Sequence, residues 1–251
     1  MRRLLLLVTL TAVIAFTAGC GSSSAGSKGP NGVQSKSADQ IVAAAVAATK
    51  RQSSFHFVET ASQGSNEVSV VGDIGTSSGE QHVTMHEGTR TGHLTLLLAG
   101  GTAYVRGDVA GLESFTGLSA KLSAKFSGDW ISVPSTNQGF TTIAGSLAVK
   151  TAAAQFVKLP GKLARGKTST ELGHPAVAVK AAQSTKSGSL SLTMYVATTG
   201  PVLPIMVEGT TRASGSAARS LTAKFSDWGE ALHLTAPNGA VPIADVQAAA
   251  G

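Results

Sequence analysis

Apolar and polar residues alternate with a period of two along much of the chain. The clearest run is residues 189–196, where Leu190, Leu192 and Met194 are each flanked by polar residues. Short alternating runs between Gly-rich turns are typical of antiparallel β-hairpins with one buried face. The pattern therefore predicts hairpins over most of the chain. Its other apolar positions are Phe55, Phe57, Val68, Val70, Val83, Met85, Leu94, Leu96, Leu98, Ala103, Val105, Val177, Val179, Val196, Leu203, Ile205, Val207, Leu221, Ala223 and Phe225.

Segments with helical periodicity interrupt this alternation. Ser37 and Gln40 fit a capping box ahead of an Ala-rich apolar run, which predicts a helix of about fourteen residues from Ala38. Two more helices are predicted near residues 112–125 and 140–156, on either side of a short strand-like stretch. Strands, a helical middle and further strands predict an α+β fold, with one antiparallel sheet covered on one face by helices.

The N-terminus has the pattern of an export signal. Arg2 and Arg3 precede an uncharged apolar run at residues 4–16, which is too short to span a bilayer comfortably. Small residues then lead to Cys20, as in the bacterial lipobox, although Thr17 stands where Leu is usual. The resemblance implies that residues 1–19 are removed as a lipoprotein signal peptide and that Cys20 is acylated. The alternative is an ordinary buried thiol at Cys20.

The residues after the signal predict a tether and then a single domain. Residues 20–37 are almost entirely Gly, Ser, Lys, Pro and Asn apart from Cys20, so they are expected to form a flexible tether. Residues 38–251 are expected to form one folded domain. Cys20 is the only cysteine in 251 residues, so the domain depends on burial and not on disulfides for its stability.

The charge is modest and dispersed. The formal net charge is +6, and it becomes +4 (6 − 2) once Arg2 and Arg3 are removed. Basic residues are scattered with few aromatic residues between them, which argues against nucleic-acid binding. The pattern favours a mildly cationic surface near anionic lipid or wall polymer.

Residues 161–168 read GKLARGKT and fit the nucleotide-binding P-loop pattern at every position. A P-loop needs a helix directly after it, but Gly173 and Pro175 would end such a helix within two turns. No nucleotide is therefore expected. We interpret the segment as a basic surface loop leading into a strand at residues 168–172, able to face anionic lipid headgroups. Its basic residues are Lys158, Lys162, Arg165 and Lys167.

Two further motifs are weak. Residues 75–79 fit the G-x-S-x-G pattern, but they join two strand patterns and so predict a hairpin turn. An enzyme would have to use Ser77 in catalysis. We do not expect this protein to be an enzyme. His82 and His86 would lie roughly 13 Å apart on a strand, too far to share a metal ion. We expect them on the surface, and we expect no metal or cofactor.

Three short stretches resemble a known family. They are Gly-Asp-Trp-Ile-Ser-Val at 128–133, Phe-Ser-Asp-Trp-Gly at 225–229 and Leu-His-Leu-Thr-Ala-Pro at 232–237. Together with the lipobox and the order of elements, they resemble the actinobacterial LppX/LprA/LprF/LprG lipoproteins, which are similar in fold to the LolA/LolB carriers. The resemblance implies a curved half-barrel sheet capped by helices, with a hydrophobic cavity between them.

The function implied is that of a non-enzymatic lipoprotein anchored on the extracytoplasmic face of the cell membrane. It would carry acyl chains of a lipid or glycolipid in its cavity; the ligand and any envelope protein partners stay open. The alternative is an envelope scaffold or sensor with a filled core, favoured by the absence of a cavity above about 300 Å³. The candidate lining residues are Phe57, Val70, Leu96, Leu192, Met194, Ile205 and Val207. The sequence leaves open which strand face points inward.

Overall fold

The computed structural model describes residues 29–249, so the predicted signal peptide and Cys20 lie outside the described residues. This part of the chain forms twelve strands and six α-helices. The strands are β1 (Ser54–Gln63), β2 (Asn66–Gly75), β3 (Gly79–Glu87), β4 (Arg90–Ala99), β5 (Thr102–Gly107), β6 (Ile131–Val133), β7 (Lys162–Glu171), β8 (His174–Thr185), β9 (Gly188–Ala197), β10 (Pro204–Ala213), β11 (Arg219–Ser226) and β12 (Val241–Pro242). The helices are α1 (Ala38–Thr49), α2 (Val109–Thr116), α3 (Ala120–Phe126), α4 (Gln138–Ser146), α5 (Val149–Ala152) and α6 (Ile243–Ala248).

All twelve strands belong to one sheet, in the order β12-β6-β5-β4-β3-β2-β1-β11-β10-β9-β8-β7. Two series of hairpins, β1 to β6 and β7 to β11, meet where β11 pairs with β1 in the middle of the sheet. Every pairing is antiparallel except that of β12 with β6. Within the described residues the sheet is open, and the predicted α+β fold with one large antiparallel sheet is confirmed.

The register shows which strand face points toward the helices. Phe57 on β1 lies opposite Gly72 on β2 and Phe225 on β11. Phe57 and Phe225 belong to a buried apolar cluster that also contains Ile41 of α1, so this face of the sheet is covered by a helix. We call it the inner face. His56, the neighbour of Phe57, points to the opposite, outer face. Its Nδ1 atom lies within hydrogen-bond distance, 2.9 Å, of Oδ1 of Asp73.

The first helix follows the sequence prediction closely. The Ser37 side chain accepts a hydrogen bond from the Gln40 backbone, and the Gln40 side chain accepts one from the Ser37 backbone. This capping box satisfies two backbone N–H groups at the helix start. Helix α1 then buries Ile41, Val42 and Ala45 against β7 and β8. One half of the inner face is therefore filled.

The helix predicted over residues 112–125 is in fact two helices, α2 and α3. Gly117 adopts a left-handed φ of 70° directly after α2, a conformation that ends a helix and that glycine adopts readily. The Ser119 side chain then caps α3 by accepting from the Leu122 backbone. Periodicity suggested one helix because apolar residues continue across this break.

The helix predicted over residues 140–156 is also interrupted. Ala148 is extended between α4 and α5, where its backbone bridges to Gly75 at the end of β2. Leu147 is fully buried beside this crossing point. A long-range contact thus breaks the helix, and α5 continues into a single π-helical turn, Ala153–Val157.

The GKLARGKT segment is a strand and not the predicted surface loop. Residues from Lys162 onward belong to β7, the outermost strand on one side of the sheet, with a register irregularity between Arg165 and Thr168. A tight turn then leads directly into β8. The segment therefore has neither the loop nor the following helix on which P-loop phosphate binding depends.

Part of the segment assigned to the tether contacts the domain. The Asn31 side chain donates to the carbonyls of Ala197 at 2.9 Å and Gly200 at 3.1 Å. Val33 is fully buried, and Arg165 donates to the carbonyl of Gln34 at 2.6 Å. The described N-terminal residues thus lie against the β9–β10 end of the sheet.

The C-terminal residues cover part of the outer face. Leu97 and Tyr104 form a small cluster there, against which Leu234 and Ala240 pack. The chain then adds β12 beside β6 and ends in α6, which returns to the inner side. Within residues 29–249, we find no helix whose length and apolar character would let it cross a bilayer.

Candidate functional site: an apolar groove under three helices

A groove of about 450 Å³ lies between strands β5 and β6 and the helical middle of the chain. Val105, Ile131 and Val133 form its floor on the sheet. We call it the apolar groove. Its walls are Phe115 and Thr116 of α2, Leu118 after it, Asn137, Gly139, Thr142 and Ile143 at α4, and Ile243, Val246 and Gln247 of α6.

The chemistry of the apolar groove is uniform. None of the described residues that line it carries a charge, and its polar groups are the amides and hydroxyls of residues such as Asn137 and Thr142. Phe115, one of the lining residues, is 40% exposed. Such a lining favours an uncharged apolar ligand, because a buried charge would have no partner.

Local sequence positions each wall. Asp108 caps α2 by accepting from Gly111, and Asn137 caps α4 by accepting from Gly139 at 2.9 Å. Pro242 precedes α6 in an extended conformation, so the helix begins directly beside β12. The three helices, α2, α4 and α6, therefore start at fixed points around the strand floor. The side chains that line the space between them do not fill it, and the unfilled space is the apolar groove.

No family model and no curated protein matches the chain by sequence. Among solved structures, LprF from Mycobacterium bovis is 17% identical with a TM-score of 0.51, and the match covers 81% of this chain and 97% of LprF. The chain shares the LprF fold.

Two weaker likenesses accompany that of LprF. The lipoprotein LppX from Mycobacterium tuberculosis is 12% identical over 78% of this chain and 98% of LppX, with a TM-score of 0.45. A LolA superfamily protein from Nitrosomonas europaea is 10% identical over 79% of this chain and 96% of its own, with a TM-score of 0.27. The resemblance expected from the motifs is confirmed at the level of the fold. At these identities the LprF fold says nothing about a ligand.

The seven residues predicted to line a cavity lie mainly in filled parts of the structure. Phe57, Met194 and Val207 are buried in the cluster under α1, and Val70 and Leu192 pack against its margin. The other two are separated from this group: Leu96 belongs to the cluster under α2 and α4, and Ile205 is buried at a register irregularity of β10. None of the seven is among the described residues that line the apolar groove, and their role in lipid binding stays a prediction.

A smaller pocket of about 240 Å³ opens elsewhere on the inner face, and Leu192 is one of its walls. We call it the Glu59 pocket; its lining residues are Glu59, Leu192, Gly209, Thr211, Arg219 and Leu221. Burial raises the pKa of the Glu59 carboxyl, and the positive charge of Arg219 partly opposes this rise. A carboxyl that points into the inner face was not identified from the sequence.

The remaining motifs fall on the surface. Ser77 is exposed in the turn between β2 and β3, as the hairpin interpretation of residues 75–79 predicted. His82 and His86 are on the outer face of β3, where they contact Thr95 at 3.3 Å and Thr91 at 3.0 Å. Among residues 29–249, no group of three or more His, Cys, Asp and Glu side chains is arranged to hold a metal ion.

The sequence did give signals for part of the apolar groove. Ile243 and Val246 are three residues apart directly after Pro242, a spacing that predicts one apolar helix face. That helix was not predicted, because only six residues follow the helical pattern. The floor residues were identified as strand residues, but the partner of a strand face depends on topology, which alternation alone cannot give.

Proposed function

We propose that this protein is an exported lipoprotein, anchored on the extracytoplasmic face of the cell membrane through acylated Cys20, that binds an acyl chain of a lipid or glycolipid in the apolar groove. The observation that carries the proposal is an uncharged groove of about 450 Å³ in the LprF fold. Ligand pockets in proteins range from about 300 to 1,000 Å³, so the apolar groove falls in the lower part of this range. This size suits one chain better than a lipid with several chains.

The filled half of the inner face supports the rival function. An envelope scaffold or sensor would need only a packed core, and the cluster around Phe57 and α1 is packed in that way. The apolar groove favours the lipid carrier, because a domain with a filled core would not leave an uncharged cavity of about 450 Å³. Both functions are non-enzymatic.

The test uses parinaric acid, a fatty acid whose fluorescence rises when it leaves water. Thr142 is exposed on α4 and lines the apolar groove, so Thr142→Trp should fill the space without removing core contacts. We expect the full-length protein to bind the probe and the variant to bind it at least tenfold more weakly, roughly 1.4 kcal/mol or more.

The matched control is Thr141→Trp, which adds the same ring at the neighbouring exposed position outside the groove lining. This variant should bind the probe as the unmodified protein does. Absence of binding to the unmodified protein, or equal binding by both tryptophan variants, would favour the scaffold. Native mass spectrometry of protein taken from its own envelope would then identify any lipid that co-purifies.

A further inference from the structure

The Glu59 pocket places a carboxyl group in an apolar setting. Glu59 lies on the inner face between Phe57 and Ala61, and the residues opposite it are Val70 on β2 and Ala223 on β11. All four neighbours are apolar, and among the described residues the Glu59 side chain has no hydrogen-bond partner within the sheet. A desolvated carboxyl without a partner is unfavourable unless a ligand supplies a donor.

A charge of the opposite sign belongs to the same pocket. Arg219 is exposed at the start of β11 and lines the cavity with Glu59. Arg219 is close enough to influence the Glu59 carboxyl electrostatically, yet no ion pair joins the two among the described residues. The pocket therefore presents a negative group and a positive group that are each free to bind a ligand.

The rest of the pocket is apolar and kept open by a glycine. Leu192 on β9, Gly209 on β10 and Leu221 on β11 lie side by side across the sheet. A side chain at position 209 would collide with the Ser191 carbonyl and with the Leu192 side chain at 2.7 Å, so the small residue leaves space between the leucines. Alkyl carbons next to a headgroup would pack there.

We propose that the Glu59 pocket binds the zwitterionic headgroup of an amphiphile of the phosphoethanolamine type. Glu59 accepts hydrogen bonds from the ammonium group, and the Arg219 guanidinium binds the phosphate. The first carbons of the alkyl chain lie on Leu192 and Leu221. The volume of about 240 Å³ suits a headgroup and the adjoining carbons, and the site is separate from the apolar groove, with which it shares no lining residue.

The experiment is calorimetric titration of the full-length Thr142→Trp protein, in which the apolar groove is filled. The probes are lysophosphatidylethanolamine below its micelle-forming concentration, lysophosphatidylglycerol, which lacks the ammonium group, and phosphoethanolamine without a chain. Because the groove is filled in this background, failure of the groove proposal leaves the present result unaffected.

We expect lysophosphatidylethanolamine to bind most tightly of the three probes. Glu59→Gln should weaken its binding about tenfold or more and leave lysophosphatidylglycerol unaffected, since only the ammonium contact is lost. Arg219→Gln should weaken both, because both carry the phosphate. The controls are Glu67→Gln and Arg212→Gln, which remove the same charges at exposed positions outside the pocket and should change neither affinity.

Two results would overturn the site. One is no binding of any probe in the Thr142→Trp background, and the other is equal affinity for lysophosphatidylethanolamine with and without the Glu59 carboxylate. If phosphoethanolamine alone binds as tightly as the lysolipid, the headgroup site stands and its ligand is the free compound. Thermal unfolding of each variant checks that loss of binding is not loss of fold.

Discussion

At the scale of single residues, Leu172 adopts a left-handed backbone conformation that is unfavourable for a residue with a branched side chain. It lies at the tip of the β7–β8 hairpin with a φ of 49°, and its side chain is 51% exposed. The left-handed region costs an L-residue roughly 1–2 kcal/mol, and asparagine tolerates it better. Little burial would be lost on substitution at this exposed position.

Leu172→Asn is therefore expected to raise the free energy of unfolding by about 0.5–1 kcal/mol. Chemical denaturation measures the change. His174→Asn is the control, because this neighbour at the start of β8 is exposed and has no left-handed φ, so no gain is expected there. A loss of stability in Leu172→Asn would show that the leucine makes a contact worth more than the strain.

Glu59 makes stability depend on pH in a defined direction. Burial raises the pKa of its carboxyl above the ordinary value, so the folded protein holds this proton more tightly than the unfolded chain does. The contribution of Glu59 to the free energy of unfolding is then greatest in acid. It falls as the pH rises from the pKa of the carboxyl in the unfolded chain through its pKa in the folded protein. Arg219 opposes the effect without removing it.

Glu59→Gln should therefore be more stable than the unmodified protein at about pH 7, and the difference should shrink toward about pH 3, where the carboxyl is protonated in both states. Thermal melts across this range measure it. Glu67→Gln, at an exposed position, should show no such trend. A Glu59→Gln protein that is less stable at neutral pH would mean that the carboxylate has a strong partner in the folded state.

At the scale of elements, the capping box of α1 joins local sequence to tertiary packing. Ser37→Ala removes the side chain that accepts from Gln40, and helix caps of this kind contribute about 1 kcal/mol. Because α1 covers the filled half of the sheet, we expect global stability to fall by about that amount, measured by denaturant unfolding. Ser65→Ala in the exposed β1–β2 turn should be close to neutral. An unchanged midpoint for Ser37→Ala would mean that α1 does not depend on its cap.

The elements also show where sequence patterns stop being informative. Capping residues and alternation predicted α1 and the hairpins because both depend on neighbours along the chain. The break at Ala148 could not be predicted, since it depends on a bridge to Gly75, 73 residues earlier (148 − 75). The first part of β7, residues 162–167, was predicted as a loop for a related reason: the outer position of β7 leaves all ten of its residues exposed or half-buried, so no alternation marks it.

At the scale of the whole molecule, the sequence predicted the fold better than the site. Layout and short motifs indicated an LprF-like arrangement, which the structure has. The cavity was expected among the strand residues with the clearest alternation, such as Met194, but clear alternation marks a well-buried face, and here a helix fills it. The apolar groove lies instead where short helices leave the sheet partly uncovered, which only the three-dimensional arrangement shows.

The docked N-terminal segment has a consequence for how the domain would sit on a membrane. Asn31 is bonded beside the β9–β10 turn, at Ala197 and Gly200, whereas Leu192 of the Glu59 pocket lies five residues before Ala197, about 17 Å away along β9. With Cys20 acylated as proposed, the nine peptide steps from Cys20 to Gly29 can span at most about 32 Å. The β9–β10 turn is then the end of the domain that the anchor holds within about 32 Å of the bilayer, and the Glu59 pocket lies farther along the sheet from this end.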